Sequence, residues 1–184
     1  MSRKLSIPIT LFIVGAVVCG AFLEVGAEGE ESPQIIGANK CKGCHKPDKI
    51  GNQFDLWSGR AHARAFETLA SEQSQAIATE MGLGNPQEAA ECLVCHTTQG
   101  VLGTDAPVAA TYDTSEGVGC EACHGAGSAY KSNKVMKDHA AAVAAGLTEI
   151  TADHCLLCHN EKSPTYKEFV YEESLAAIAH PVPE

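Results

Sequence analysis

Four times along the chain, two cysteines separated by two residues are followed at once by a histidine: Cys41-Lys-Gly-Cys44-His45, Cys92-Leu-Val-Cys95-His96, Cys120-Glu-Ala-Cys123-His124 and Cys155-Leu-Leu-Cys158-His159. No other feature restricts the fold as strongly, because C-x-x-C-H is the attachment spacing for c-type haem. The thiols add to the two porphyrin vinyl groups as thioethers, and the next residue, one helical step on, places its imidazole under the iron. A disulfide framework would suit eight cysteines in an exported chain, but it gives no reason for histidine after every second one. Zinc sites also use C-x-x-C pairs and leave the histidine equally unexplained. Histidine fills 8 of 184 positions, so four such coincidences have a probability of about a few in a million. The spacing therefore predicts four covalently bound haem c groups, attached through Cys41, Cys44, Cys92, Cys95, Cys120, Cys123, Cys155 and Cys158, with His45, His96, His124 and His159 as proximal iron ligands.

Composition agrees with that reading. Aromatic residues make up only 5% of the chain, little for a soluble core of this size. With about one porphyrin per 40 residues, the discs themselves are expected to form the hydrophobic interior and the polypeptide to wrap them. Folding is then coupled to haem attachment. Thirteen basic against 23 acidic residues give a net charge of −10 with no basic block, which excludes recognition of a nucleic-acid phosphate backbone. The same charge, enlarged by the haem propionates, suits docking to a cationic patch on a redox partner, at a rate that falls with added salt.

The N-terminus reads as a leader. Arg3 and Lys4 precede an apolar run from Leu5 to Leu23, and Val25-Gly26-Ala27 supplies small residues at a cleavage site. This predicts a secretory signal over residues 1–27 and a single tetrahaem cytochrome c domain over 28–184. The alternatives are an uncleaved membrane anchor, for which the run is near the lower spanning length, and a lipoprotein at Cys19, where Val18 stands in place of a small residue. Cleavage leaves no stable membrane span and a periplasmic or extracellular protein, in the compartment where c-type haem is attached.

Between the motifs the expected fold is mostly α, with short helices and loops around four stacked haems. After a short, mobile acidic lead-in from Glu28 to Pro33, residues from Ser58 to Gly82 or Gly84 read as one helix, with Ser58 as N-cap and His62, Phe66 and Leu69 on one face. Asn85-Pro86-Gln87-Glu88 opens a short helix into the second motif. Gly117, Gly119, Gly125 and Gly127 bracket the third, where small residues would let backbone approach a porphyrin. A helix from about Ser132 to Ala145 would put Val135, His139 and Ala142 on one stripe. Thr151 would cap the helix of the fourth motif, and Tyr171 to Ala179 would form the last, stopped by Pro181. The only β structure expected is a short hairpin near Val101 to Tyr112.

Four histidines remain after the proximal set: His62, His139, His154 and His180. Four irons each need a sixth ligand, so all four are candidate metal ligands, against the ordinary alternative of surface imidazoles. His154 stands apart because it directly precedes Cys155, so backbone geometry already constrains it. Methionine is disfavoured, with only Met81 and Met136 beyond the leader. Bis-imidazole iron lacks the thioether that raises potential, so low potentials follow. Carboxylate pairs such as Glu172-Glu173 read as solvated helix surface rather than acid–base catalysts.

The motif CKGCH followed by WSGRAHARAFETL, then GVGCEACHGAGSAY, then CLLCHNEKSPTYKEF with the late His180 resembles the tetrahaem cytochrome c-554 family of ammonia-oxidising bacteria. The resemblance implies a mostly helical fold, haems in close stacked pairs, and an electron carrier fed by hydroxylamine oxidoreductase. It further implies that His62 ligates the fourth haem, His139 the first and His180 the third. The second haem, on Cys92, Cys95 and His96, has no distal ligand in the family; His154 is the residue here that departs from that pattern. The resulting reading is an electron carrier between redox partner proteins, such as other cytochromes or a haem oxidoreductase. The alternatives are a reductase of a small nitrogen species at a five-coordinate second haem, or a subunit of an extracellular cytochrome filament.

Overall fold

A C-x-x-C-H segment needs only a single helical turn to bring its three side chains to one side, and the chain supplies little more than that at each motif. The computed structural model describes residues 32–180. The expected leader over 1–27, Cys19, the lead-in as far as residue 31, and Pro181 lie outside the described residues. His45, His96 and His124 are the last residues of α1 (Lys42–His45), α5 (Ala90–His96) and α7 (Cys120–His124). The fourth motif is carried differently, because α10 (Ala152–Leu156) stops three residues before His159. The remaining helices are α2 (Gln53–Ser58), α3 (Ala65–Thr68), α4 (Glu72–Glu80), α6 (Thr98–Leu102), α8 (Asn133–Met136), α9 (His139–Ala144) and α11 (Tyr171–Ile178). None exceeds nine residues, well below the length at which an isolated helix holds in water. Tertiary contacts must therefore hold them.

Much of that support comes from the extended segment 34–38, which threads between residues 107–111 and the third motif. Ile35 donates to the carbonyl of Pro107 (2.8 Å) and accepts from Ala109 N–H (2.8 Å). Ile36 and Gly37 donate to the Glu121 carboxylate, and Ala38 donates to Glu116. Ile35, Ile36 and Ala38 are buried here with Ala122 and Val118. A second knot joins α5, α6 and the approach to α7. Thr98, fully buried, donates through N–H to the carbonyl of Gly117 (2.9 Å), and its hydroxyl accepts from Gly119 N–H (2.8 Å). The Trp57 indole donates to the carbonyl of Val118 (2.9 Å), tying α2 to the same segment.

Several expected elements are rearranged. The single helix expected from Ser58 is broken, with α3 and α4 as separate short helices inside it. Ser58 ends α2 rather than capping a helix, a tight 3₁₀ turn covers His62–Arg64, and Ser71 caps a separate α4 by accepting from Ser74 N–H (3.2 Å). The Ser71-Glu72 start signal interrupts the apolar period, and the carbonyl of His62 is taken by Val118 N–H (3.0 Å), so local capping and a long-range bond together outcompete one long helix. Gly82 (φ +70°) closes α4, in line with the sequence reading. Asn85 to Glu88 forms one isolated turn, its side chain bonding Gln87 N–H and Glu88, and α5 starts separately at Ala90.

The expected 132–145 helix is likewise two. Ser132 caps α8, and Asp138 caps α9 by accepting from Ala141 N–H (3.1 Å). That break rotates the stripe, so Ala142 is buried while His139 is exposed. No hairpin forms near Val101 to Tyr112. Among the described residues β structure is limited to one parallel bridge, Ile35 with Val108. Thr151 caps α10, as the sequence indicates, and α11 ends at Ile178, one residue before the expected Ala179. Gly117 and Gly125 are required by their close protein neighbours. Both have positive φ, and a Cβ would lie 2.7 Å from the carbonyl of His62 and 2.5 Å from that of Gly146, respectively. Among the described residues no helix is long and apolar enough to cross a membrane.

Candidate haem sites

The eight motif cysteines are all free thiols, so the disulfide alternative has no support in the fold. In c-type attachment these sulfurs are consumed as thioethers, and their positions therefore mark where porphyrin edges would sit. Cys41 of the first motif neighbours Cys120 of the third, a contact that lowers the Cys41 thiol and, with burial, raises that of Cys120. Cys95 of the second motif neighbours Cys158 of the fourth in the same way; the contact pulls Cys95 down to about 7 and pushes Cys158 up. Motif one thus adjoins motif three, and motif two adjoins motif four.

The histidines are grouped accordingly. The rings of His62 and His159 lie 6.1 Å apart between centroids, at 77° to one another. Those of His124 and His180 lie 5.9 Å apart, at 42°. Two imidazoles on opposite faces of one metal, each nitrogen about 2 Å from it, place their centroids about 6 Å apart, so both pairs have the separation that an axial ligand pair requires. Burial is the largest cause holding His124 down to about 4, followed by the neighbouring His180 and His45. Burial, then His159, lowers His62; burial also leads the lowering of His180. Imidazoles kept neutral at pH 7 have a nitrogen lone pair available for iron. Phe169 stacks on His159 at 4.9 Å and 20°.

The remaining four are placed one by one. Nδ1 of His96 lies 2.7 Å from the carbonyl of Ala65. A carbonyl only accepts, so this nitrogen carries the proton and Nε2 keeps its lone pair. His154 has the opposite tautomer. Its Nδ1 accepts from the Thr151 N–H (3.1 Å), so the neutral ring carries its proton on Nε2 and offers no lone pair there. His45 belongs to a cavity of about 250 Å³ lined also by Cys41, Cys44, Tyr130, Met136 and three lysines, Lys40, Lys131 and Lys137. His139 stands at the start of α9 with its side chain 71% exposed, 3.9 Å from Glu149.

Two carboxylates that sequence reading passed over are central. Glu121, between the cysteines of the third motif, is 1% exposed and accepts from Ile36, Gly37 and Gly127 N–H. Glu116 accepts from Ala38 N–H (3.0 Å); burial first, then Glu121 and Asp113, push it up to about 7. Tyr130, whose hydroxyl donates to the carbonyl of Gly125 (2.7 Å), is raised by burial and by Glu121. An acid between the two cysteines of a C-x-x-C-H motif was the available signal for Glu121. Nothing local marks Ala65.

A family model described as cytochrome c554 and c-prime matches residues 40–125, taking in the first three motifs. Over that segment, less than half of the chain, the sequence is similar to the cytochrome c-554 family. That similarity implies covalently bound haem c and suggests a role in electron transfer. A relative, cytochrome c-554 of Nitrosomonas europaea, is 27% identical over 100 residues, 53% of this chain. The matched stretch is 40% of that relative's own length. No solved structure matches the chain significantly.

Proposed function

We propose that this chain, similar to the cytochrome c-554 family over its first three motifs, is an exported tetrahaem carrier that passes electrons between redox partner proteins. The observation that carries the reading is the pairing of distal with proximal imidazoles at axial-ligand separation, His62 with His159 and His124 with His180. In this reading Cys155, Cys158 and His159 hold the fourth haem with His62 opposite. Cys120, Cys123 and His124 hold the third with His180 opposite. Cys41, Cys44 and His45 hold the first, with His139 as its family-implied distal ligand and Lys40, Lys131 and Lys137 placed to neutralise propionates. Cys92, Cys95 and His96 hold the second. The thiol pairs Cys41–Cys120 and Cys95–Cys158 support packing of haems one with three and two with four, close enough for rapid electron exchange. Iron saturated by two rigidly held imidazoles changes little on reduction, which suits a carrier. A pyridine haemochrome assay combined with intact mass should give four haems per chain; a colourless, zinc-loaded product would overturn the reading.

A second reading is favoured by the His154 tautomer. With Nδ1 engaged by Thr151 N–H and the proton on Nε2, His154 is poorly suited to ligate iron, and the second haem keeps an open face. Binding of nitric oxide, and reduction of a small nitrogen species, would take place there. Nitric oxide should perturb one haem in four, and equally in His154→Ala. A wild type lacking any high-spin signal, with one gained in the variant, would close the site and leave electron transfer alone.

A further inference from the structure

The turn that carries His62 also carries the hydrogen-bond acceptor of His96. His62–Arg64 is a tight 3₁₀ turn, and Ala65, the next residue, donates its N–H back to the carbonyl of His62. The His62 ring faces His159 of the fourth motif, while the Ala65 carbonyl accepts from Nδ1 of His96 of the second (2.7 Å). Four consecutive residues therefore serve two haem sites. The turn is clamped from behind. Val118 N–H donates to the carbonyl of His62 (3.0 Å), and the Trp57 indole donates to the carbonyl of Val118 (2.9 Å). Gly117 lies so close, at φ +72°, that a Cβ would meet the carbonyl of His62 at 2.7 Å, Ala65 N at 3.1 Å and the carbonyl of Ala63 at 3.2 Å. A turn held this closely cannot shift at one end without moving the other.

We propose that the His62–Ala65 turn is a relay between the second and fourth haem sites, with the Ala65 carbonyl as the positioning acceptor for His96 and Gly117 as the residue that sets its place. The inference rests on the haem assignment above. A short Nδ1–H···O=C bond draws the proton away from the imidazole, makes Nε2 a stronger donor and stabilises ferric iron at the second site. Any movement of His96 towards or away from its iron pulls on the Ala65 carbonyl and hence on the peptide that orients His62. By reciprocity, a change at the fourth site acts back on the second.

The test is an EPR-monitored redox titration of the haem-loaded protein and its Gly117→Ala variant. The fourth-haem signal is identified as the one altered by His62→Ala, and the second-haem signal as the one altered by nitric oxide. In Gly117→Ala the Ala65 carbonyl is displaced, so the second haem should rise in midpoint potential and the fourth-haem signal should shift in the same variant, with the other two unmoved. Gly82→Ala is the control, since Gly82 has the same positive φ and nothing within 4 Å of its Cβ; it should move neither. If Gly117→Ala fails to take up haem, Trp57→Phe, which loosens the clamp by deleting one donor, should move the same two signals by a smaller amount. Movement of one signal alone, or of neither, in the variant that loads haem would overturn the relay. A haem count other than four would instead overturn the haem assignment itself, so the two failures are distinguishable.

Discussion

Replacing Glu121 by alanine should cost more stability than any change at a surface carboxylate. The Glu121 side chain is 1% exposed, and its two oxygens accept from Ile36 N–H (2.9 and 3.1 Å), Gly37 N–H (2.7 Å) and Gly127 N–H (2.6 Å). Alanine leaves three backbone donors buried without an acceptor, each costing about 1–3 kcal/mol. Water entering the vacated space would satisfy part of that, so the loss is set at about 3–5 kcal/mol. Against a total of about 5–15 kcal/mol for a domain, this is a large fraction. The assay is guanidinium unfolding of the haem-loaded protein, followed by the Soret band and by Trp57 emission, with the midpoint read at unchanged m. Glu121→Gln keeps one acceptor oxygen but turns an amide N–H₂ towards backbone donors, so it should lose about half as much. An alanine variant within about 1 kcal/mol of the parent would refute the claim that segment 34–38 is pinned to the third motif through this carboxylate.

Three further outcomes follow from the same geometry. His62→Ala and His180→Ala should each convert one low-spin haem to high spin by EPR, and an unchanged spectrum would remove that ligand assignment. His154→Ala should lower stability by about 0.5–2 kcal/mol through loss of the bond to Thr151 N–H, without changing the number of high-spin haems; a gained high-spin signal would make His154 a ligand. Glu116 binds its proton more tightly folded (about 7) than unfolded (4.5), because burial outweighs the bond from Ala38. Its contribution is therefore fully present below pH 4.5 and is lost as pH rises through about 7. Unfolding midpoints measured from pH 4 to 8 should show Glu116→Gln losing less stability across that window than the parent, and a steeper loss in the variant would contradict the burial argument.

The chain alone spells out four C-x-x-C-H repeats, the histidines left over, and the helix signals at Gly82, Ser132 and Thr151. All of these are encoded within about four residues, by covalent spacing or by a side chain reaching its own backbone, so they can be read without the fold. Tertiary structure decided what those residues face. His62 meets His159, and His124 meets His180, across long stretches of chain, while Ala142 turns inward and His139 outward because Asp138 restarts the helix between α8 and α9. The tautomers were equally out of reach. A histidine's free nitrogen is fixed by whichever partner takes the other one, and for His96 that partner is a backbone carbonyl 31 residues away. Any residue can offer a carbonyl, so Ala65 carries no mark in the sequence. Glu121 carries one, an acid between two motif cysteines, but its meaning depends on three N–H groups, two of them about 85 residues distant. Only the folded chain brings donors that far apart to one carboxylate, because burial makes an unpaired donor costly and leaves the packed arrangement as the one that satisfies them all.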